Sequence, residues 1–337
     1  PSVKGGKQIV LSFFELPRSN MDAKLQTDRF ARYAWFVLAY NIVVILWGVF
    51  LRASLSGDGC GEHWLTCGGE VIPSAPQLKT QIEFFHRITS SLAGITVIVL
   101  LVAAVVKWKR NKTAQNRLVL RMSIASLLFI VIEGIIGGLL VLTGNTAANW
   151  TPARPFWMAA HLVNTFTLIA ILALTAWFAS GGKRFSIFKA ERNILLLLLL
   201  GTLGIFIVGM SGSVAALSSM LFPSSTLSEG IAKDFSATSH YILRLRIFHP
   251  ILSIMTGVFL IFLAGFLRKK DEQNPHTRRW ANVLSITVLI QFASGAVTLL
   301  MLAPIVLQLI HLFLADLVWI AFVLMTASFL AGSNDPE

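Results

Sequence analysis

Four of the seven histidines, His86, His161, His249 and His311, stand inside long apolar runs, while His63, His240 and His276 lie in connections or at their edges. An ionisable side chain in a membrane-spanning run is costly and usually functional. One such histidine alone reads as a polar group hydrogen-bonded to a neighbouring helix. Four of them at matched positions point elsewhere, because paired imidazoles on facing helices hold a haem iron from both sides. Zinc would want further ligands, and no acidic or Cys cluster accompanies each pair. The types and spacing predict two haem sites. One of the four also follows an acid by three residues, in Ile82-Glu83-Phe84-Phe85-His86-Arg87, so carboxylate and imidazole share a helix face about one turn apart.

The elements that must position these groups are membrane helices. Of 337 residues 55% are hydrophobic and 13% charged, more apolar surface than a soluble chain of this size can hide. A span needs roughly 20 predominantly apolar residues. Eight stretches qualify, at about 31–54, 84–106, 117–143, 156–179, 194–217, 241–267, 280–302 and 305–330. They are too long and too uniformly apolar for barrel strands, so the fold class is an all-α integral membrane protein with eight transmembrane helices.

Charge sets the orientation. Of the 28 Lys and Arg, twenty-one fall on alternate connections and only seven on the others. That is the positive-inside pattern. It puts both termini inside, and the basic balance reports topology and anionic lipid rather than nucleic acid. A bacterial cytoplasmic membrane is favoured over a mitochondrial inner membrane. Residues 1–30 show no apolar core of a signal peptide and read as a polar cytoplasmic tail.

The halves echo each other. His86-Arg87-Ile88-Thr89-Ser90-Ser91-Leu92-Ala93-Gly94 and His249-Pro250-Ile251-Leu252-Ser253-Ile254-Met255-Thr256-Gly257 both read H-x-I-x-S-x-x-x-G. Glu133 and Gln291 each precede a glycine by four, Gly137 and Gly295. Four spans per unit give parallel repeats, hence two tandem pseudo-symmetric four-helix bundles. The expected division is 31–180 for the N-terminal bundle, 181–193 for a cytoplasmic linker, 194–330 for the C-terminal bundle and 331–337 for a closing tail. Each even-numbered span runs from outside to inside and holds its histidine in the outer half. Both sites therefore sit side by side near the outer face, a poor arrangement for carrying electrons across the membrane.

The halves differ beside the histidines. Glu83 is matched in the second half by Arg246, which suggests one reactive site and one binding site. Helix-start stabilisation by the dipole and pairing with Arg87 are the plainer readings of Glu83. Arg52, Arg87, Arg244 and Arg246 near the outer rim are candidate partners for haem propionates. Cys60 and Cys67, in Gly59-Cys60-Gly61-Glu62-His63-Trp64-Leu65-Thr66-Cys67, lie on the oxidising side. A loop-stapling disulfide is favoured there, with redox exchange and a metal site using His63 as the alternatives.

These residues resemble the haem A synthase family, membrane enzymes that oxidise a methyl group of haem O to a formyl group. The elements that match are Arg52 ahead of Ser56-Gly57, the Cys60-to-Cys67 loop with Trp64, Glu83-x-x-His86-Arg87, and one histidine in each even span. The resemblance implies that His249 and His311 hold haem b. It implies that His86 and His161 belong to the site where haem O becomes haem A, with Glu83 as the catalytic acid. Two successive hydroxylations would give a geminal diol that loses water to leave the aldehyde. Implied partners are membrane lipid, haem O and the haem O synthase that supplies it, an electron donor the sequence does not name, and a second copy of the chain. Leu65 stands where the family commonly has Pro, Ser224-Ser225-Thr226-Leu227-Ser228-Glu229 replaces a second Cys pair found in some members, and Pro250 follows the third span histidine where Arg is usual. The competing reading is a di-haem electron-transfer or quinone-reactive cytochrome, which needs the four histidines but not Glu83 at one site only. A transporter, suggested by the duplication, would want polar groups at mid-membrane, for which only Glu133, Asn164, Gln291 and Asp316 offer themselves.

Overall fold

The structure is a computed structural model that describes residues 29–74, 76–147, 149–185 and 190–332. The tails expected over 1–30 and 331–337 fall almost wholly outside these residues, as does Lys189 of the linker. Among the described residues there are ten helices: α1 Arg29–Ala53, α2 Leu78–Arg110, α3 Ala114–Leu142, α4 Arg154–Ala179, α5 Arg192–Leu221, α6 Leu227–Phe235, α7 Tyr241–Leu245, α8 Phe248–Lys270, α9 Pro275–Leu300 and α10 Ile305–Gly332. Eight membrane-length segments emerge, the sixth being α7 and α8 together, in agreement with the count read from hydropathy.

Boundaries follow local chemistry. Thr113 caps α3 by accepting from Asn116 N–H, and Asn274 caps α9 by accepting from His276 and Thr277 N–H with Pro275 in the first turn. Basic residues close α2 (Lys107, Lys109, Arg110) and α8 (Arg268, Lys269, Lys270), where they complement the helix dipole. The observed α2 starts six residues before the expected 84, because Leu78–Glu83 adds a polar turn that hydropathy alone does not register. The sixth span breaks between α7 and α8. Pro250 has no N–H to offer the Arg246 carbonyl and its ring crowds that carbonyl, so the chain turns there, His249 N–H reaching Arg246 O at 3.2 Å.

Helix contacts run α1–α2, α2–α3, α3–α4 and back from α4 to α1 in the first half, and α5–α8, α8–α9 and α9–α10 in the second. The halves meet where α4 packs on α5 and α10, and α1 on α10. α4 and α10 are accordingly the most enclosed spans, with 61% and 44% of their most apolar windows buried. At their crossing the indole N–H of Trp319 donates to the Phe166 carbonyl at 2.7 Å, in full burial. Phe166 stacks on the same indole and Phe206 meets it edge-on. These two helices carry His161 and His311, so the central crossing fixes one histidine of each pair.

Candidate functional site

His249 lies in the first turn of α8 and His311 in the second turn of α10. Their ring centroids are 6.3 Å apart with planes at 88°. Two imidazoles on opposite sides of one metal, with metal–nitrogen bonds of about 2.0–2.1 Å and about 1.1 Å from nitrogen to ring centre, would stand about 6.3 Å apart. Hydrogen bonding fixes which ring nitrogens carry hydrogen. Ser211 Oγ donates to Val208 O at 2.9 Å and therefore accepts from His249 Nδ1–H, 3.1 Å away. His249 Nε2 then keeps its lone pair. The Gln291 amide nitrogen is 3.3 Å from His311 Nε2, and since that amide can only donate, His311 Nε2 also carries a lone pair. The backbone is cut back to admit the rings: a Cβ at Gly212 would stand 2.9 Å from His249 Cε1, and one at Gly295 would stand 3.0 Å from His311 Cε1.

The first half repeats the plan. His86 in α2 and His161 in α4 are close enough for a charge on one to act on the other. Gly48 of α1 faces His86 as Gly212 of α5 faces His249, with a Cβ placed 3.0 Å from His86 Cε1. Glu133 of α3 approaches His161 from the third span as Gln291 of α9 approaches His311, but at the other ring nitrogen, its Oε2 being 3.5 Å from His161 Nδ1. All four histidines lie in the first three turns of their helices.

Glu83 is 2% exposed and both its oxygens are engaged. Oε2 accepts from Cys60 N–H at 2.8 Å, and Oε1 accepts from Arg87 Nε at 3.1 Å and from Arg87 Nη2. The same guanidinium donates to the carbonyls of His63, Trp64 and Thr66 at 2.5, 2.9 and 2.8 Å. Cys60 and Cys67 form a disulfide and are 1% and 3% exposed. The Trp64 ring lies on Gly138 of α3, where a Cβ would collide with it. The stapled loop is thus strapped across the turn that carries His86.

The arginines separate into two kinds. Arg87 faces Glu83, and Arg246 pairs with Asp234 of α6 and donates to Gly230 O at 3.0 Å. Burial pushes the Asp234 carboxyl above its usual range, with Arg246 opposing that rise. Arg244 is exposed. Arg52 ends α1 near Arg154, which starts α4, and the two cations repel. Arg154 is 2% exposed, donates to the Asn149 carbonyl, and leaves its Nε without a partner. Among the described residues no carboxylate pairs with either. Two adjacent enclosed guanidiniums call for an anion, and the carboxylates of a bound porphyrin fit them.

Sequence reasoning passed over Arg154 as a propionate partner, although it stands seven residues, two turns, before His161 on the same face. It also left Glu133 and Gln291 as repeat markers, because contact with a histidine on the next helix has no sequence signature.

The chain matches the family described as cytochrome oxidase assembly protein (COX15-CtaA) over residues 31–323. It is 40% identical over 301 residues to a Thermus thermophilus protein named protoheme IX farnesyltransferase, covering 89% of this chain and 48% of the relative. It therefore spans about half the length of that relative. It is 28% identical over 293 residues to a heme A synthase of Alkalihalophilus pseudofirmus, covering 85% of this chain and 92% of that protein. A heme A synthase of Halalkalibacterium halodurans is 36% identical over 132 residues, 39% of this chain and 42% of its own.

Proposed function

Because this chain belongs to the haem A synthase family of cytochrome oxidase assembly proteins, we propose that it oxidises a methyl group of haem O to the formyl group of haem A. His249 and His311 hold a resident haem b, and His86 and His161 receive the haem O that is converted. The observation that carries this reading is the repeated histidine pair, whose 6.3 Å separation at His249 and His311 suits a metal held between two imidazoles. Both pairs lie near the same ends of their helices, which the charge pattern assigns to the outer face. Two haems at one depth suit conversion better than conduction.

The bound haems supply the redox chemistry. The chain supplies grip, orientation and charge. Arg52 and Arg154 receive propionates at the first site, where their uncompensated positive charge favours an anion. Glu83, one turn from His86, sets a fixed negative charge beside the converted group and stabilises positive charge developing at the reacting carbon. Arg87 and Cys60 N–H keep that carboxylate oriented. The strapped loop covers the site and excludes water from it.

The Thermus relative is named for farnesyl transfer to protoheme IX. Adding a farnesyl group to protohaem makes the prenylated haem that this chain would take next. We assign it a haem O synthase as supplier on that ground.

Acid-acetone extraction of the purified protein, with the porphyrins identified by chromatography and mass, tests the proposal. Haem b together with haem O, its hydroxylated form or haem A is the expected result. Haem b alone at two per chain, even when haem O is supplied, would make the protein an electron carrier. Prenylation of protohaem by this chain would move it to its relative's named step, and absence of any haem would defeat every haem reading.

A further inference from the structure

The two histidine pairs are built alike except for what stands behind the fourth-helix histidine of each. In the second half no side chain among the described residues reaches His311 Nδ1, the neutral Gln291 lying 3.3 Å from Nε2 instead. In the first half it is Glu133. Asn164 Nδ2 donates to Oε2 at 2.5 Å, His161 Nδ1 lies 3.5 Å from the same oxygen, and the Thr165 hydroxyl, which also reaches the His161 carbonyl at 2.8 Å, lies against Oε1. Asn164 Nδ2 also donates to Phe129 O at 2.9 Å, which fixes the amide's orientation and leaves its nitrogen toward Glu133. Oε2 therefore receives N–H groups from two sides, and the carboxylate sets its negative charge against His161 Nδ1. A carboxylate facing Nδ1 calls for the tautomer with hydrogen on Nδ1 and the lone pair on Nε2.

We propose that Glu133 is a positioning residue for His161, a carboxylate partner that makes this imidazole a stronger electron donor than any ligand of the other pair. This rests on the haem reading above. A histidine whose distal N–H points at a carboxylate is more basic at its metal-facing nitrogen. It stabilises the oxidised iron over the reduced one. His311 Nδ1 meets no partner among the described residues, Gln291 lying at Nε2 instead, and Ser211 offers His249 only a hydroxyl. The site of His86 and His161 is therefore the lower-potential site, and the difference is written in one side chain. With electrons favouring the His249 and His311 haem, the converted haem is kept oxidised until it is needed.

The test is a redox titration of the purified protein carrying both haems, in wild type, Glu133→Gln, Glu133→Asp and Ser211→Ala. In Glu133→Gln the lower midpoint potential rises by at least a tenfold change in the reduction equilibrium, about 59 mV for a one-electron couple, while the higher one stays. In Ser211→Ala, which removes the acceptor at His249 Nδ1, the higher potential rises, which identifies each wave with its site. A role confined to joining α3 to α4 would change thermal stability and leave both potentials in place. Two haems bound with unmoved potentials in Glu133→Gln would overturn the inference. Should that variant not assemble, an unmoved lower potential in Glu133→Asp, which draws the carboxylate back from Nδ1, overturns it equally. A wild-type protein that binds no haem defeats the reading beneath it, a separate result.

Discussion

Replacing Arg87 by Ala tests how the stapled loop is held. The substitution removes the cation facing Glu83 and the donor to three loop carbonyls, leaving the carboxylate, 2% exposed, with the Cys60 N–H as its partner. Removing one partner of a buried ion pair costs about 3–5 kcal/mol. The Arg87 side chain is 19% exposed, so solvent offsets some of that loss and the low end, about 3 kcal/mol, applies. At about 1.4 kcal/mol per tenfold, this raises the undocked fraction of the loop about a hundredfold. Cys60 and Cys67 are 1% and 3% exposed in the docked loop, so a bulky reductant must wait for undocking. The assay is the initial rate of disulfide reduction by a water-soluble phosphine in nanodiscs, read by maleimide labelling of the released thiols. Arg87→Ala should react about a hundredfold faster, and Arg87→Lys should fall between, because a lysine keeps the charge without the guanidinium fork. A rate within about threefold of wild type, in protein that keeps its helix content, would refute the reasoning and shift the loop's anchorage to Trp64 on Gly138.

The histidine cradles give a second set of outcomes. Gly295→Ala and Gly212→Ala place a methyl against His311 and His249 and should halve the haem retained, whereas Gly48→Ala should empty the other site. Gly94→Ala and Gly137→Ala, where an added methyl meets nothing within 4 Å, should leave haem content unchanged and add up to about 1 kcal/mol of helix stability. Arg154→Gln should weaken haem retention at the His86 and His161 site by at least tenfold in a competition assay with apomyoglobin, about 1.4 kcal/mol, and leave the second haem in place. Trp319→Phe loses the buried indole bond to Phe166 and should lower unfolding stability in detergent by about 1 kcal/mol with both haems still bound.

The membrane spans were legible because their signal is length and polarity, which tertiary contacts do not override. The number of spans needed nothing more than hydropathy. The break before α8 was not read, because hydropathy runs smoothly through it, although Pro250 could have marked it. What stayed hidden depends on folding across elements. Arg87 reads as a rim cation until the loop folds back and presents three carbonyls to it. Arg246 aligns with Glu83 across the repeat, yet its partner is Asp234, on the short helix α6, whose Thr226-x-x-Glu229 capping box could have been read from sequence. Glu133 and His161 are 28 positions apart on different helices, and no spacing rule connects them.

The comparison of the two halves explains why a duplicated bundle keeps both copies. Features that hold a planar metal group are shared: a glycine behind the second-span histidine and a polar side chain from the third span beside the fourth. Features that set charge have parted. Each half has one internal ion pair, Glu83 with Arg87 and Arg246 with Asp234, but the first adds Glu133 and two arginines with no carboxylate partner among the described residues, where the second has the neutral Gln291. Enclosed charges are costly, and a site that only stores a cofactor gains little from them. A site that must drive chemistry does gain, since fixed charge near the reacting atoms favours one charge distribution over another. On the proposed function, this asymmetry of charge is the reason to assign the reacting haem to the first half.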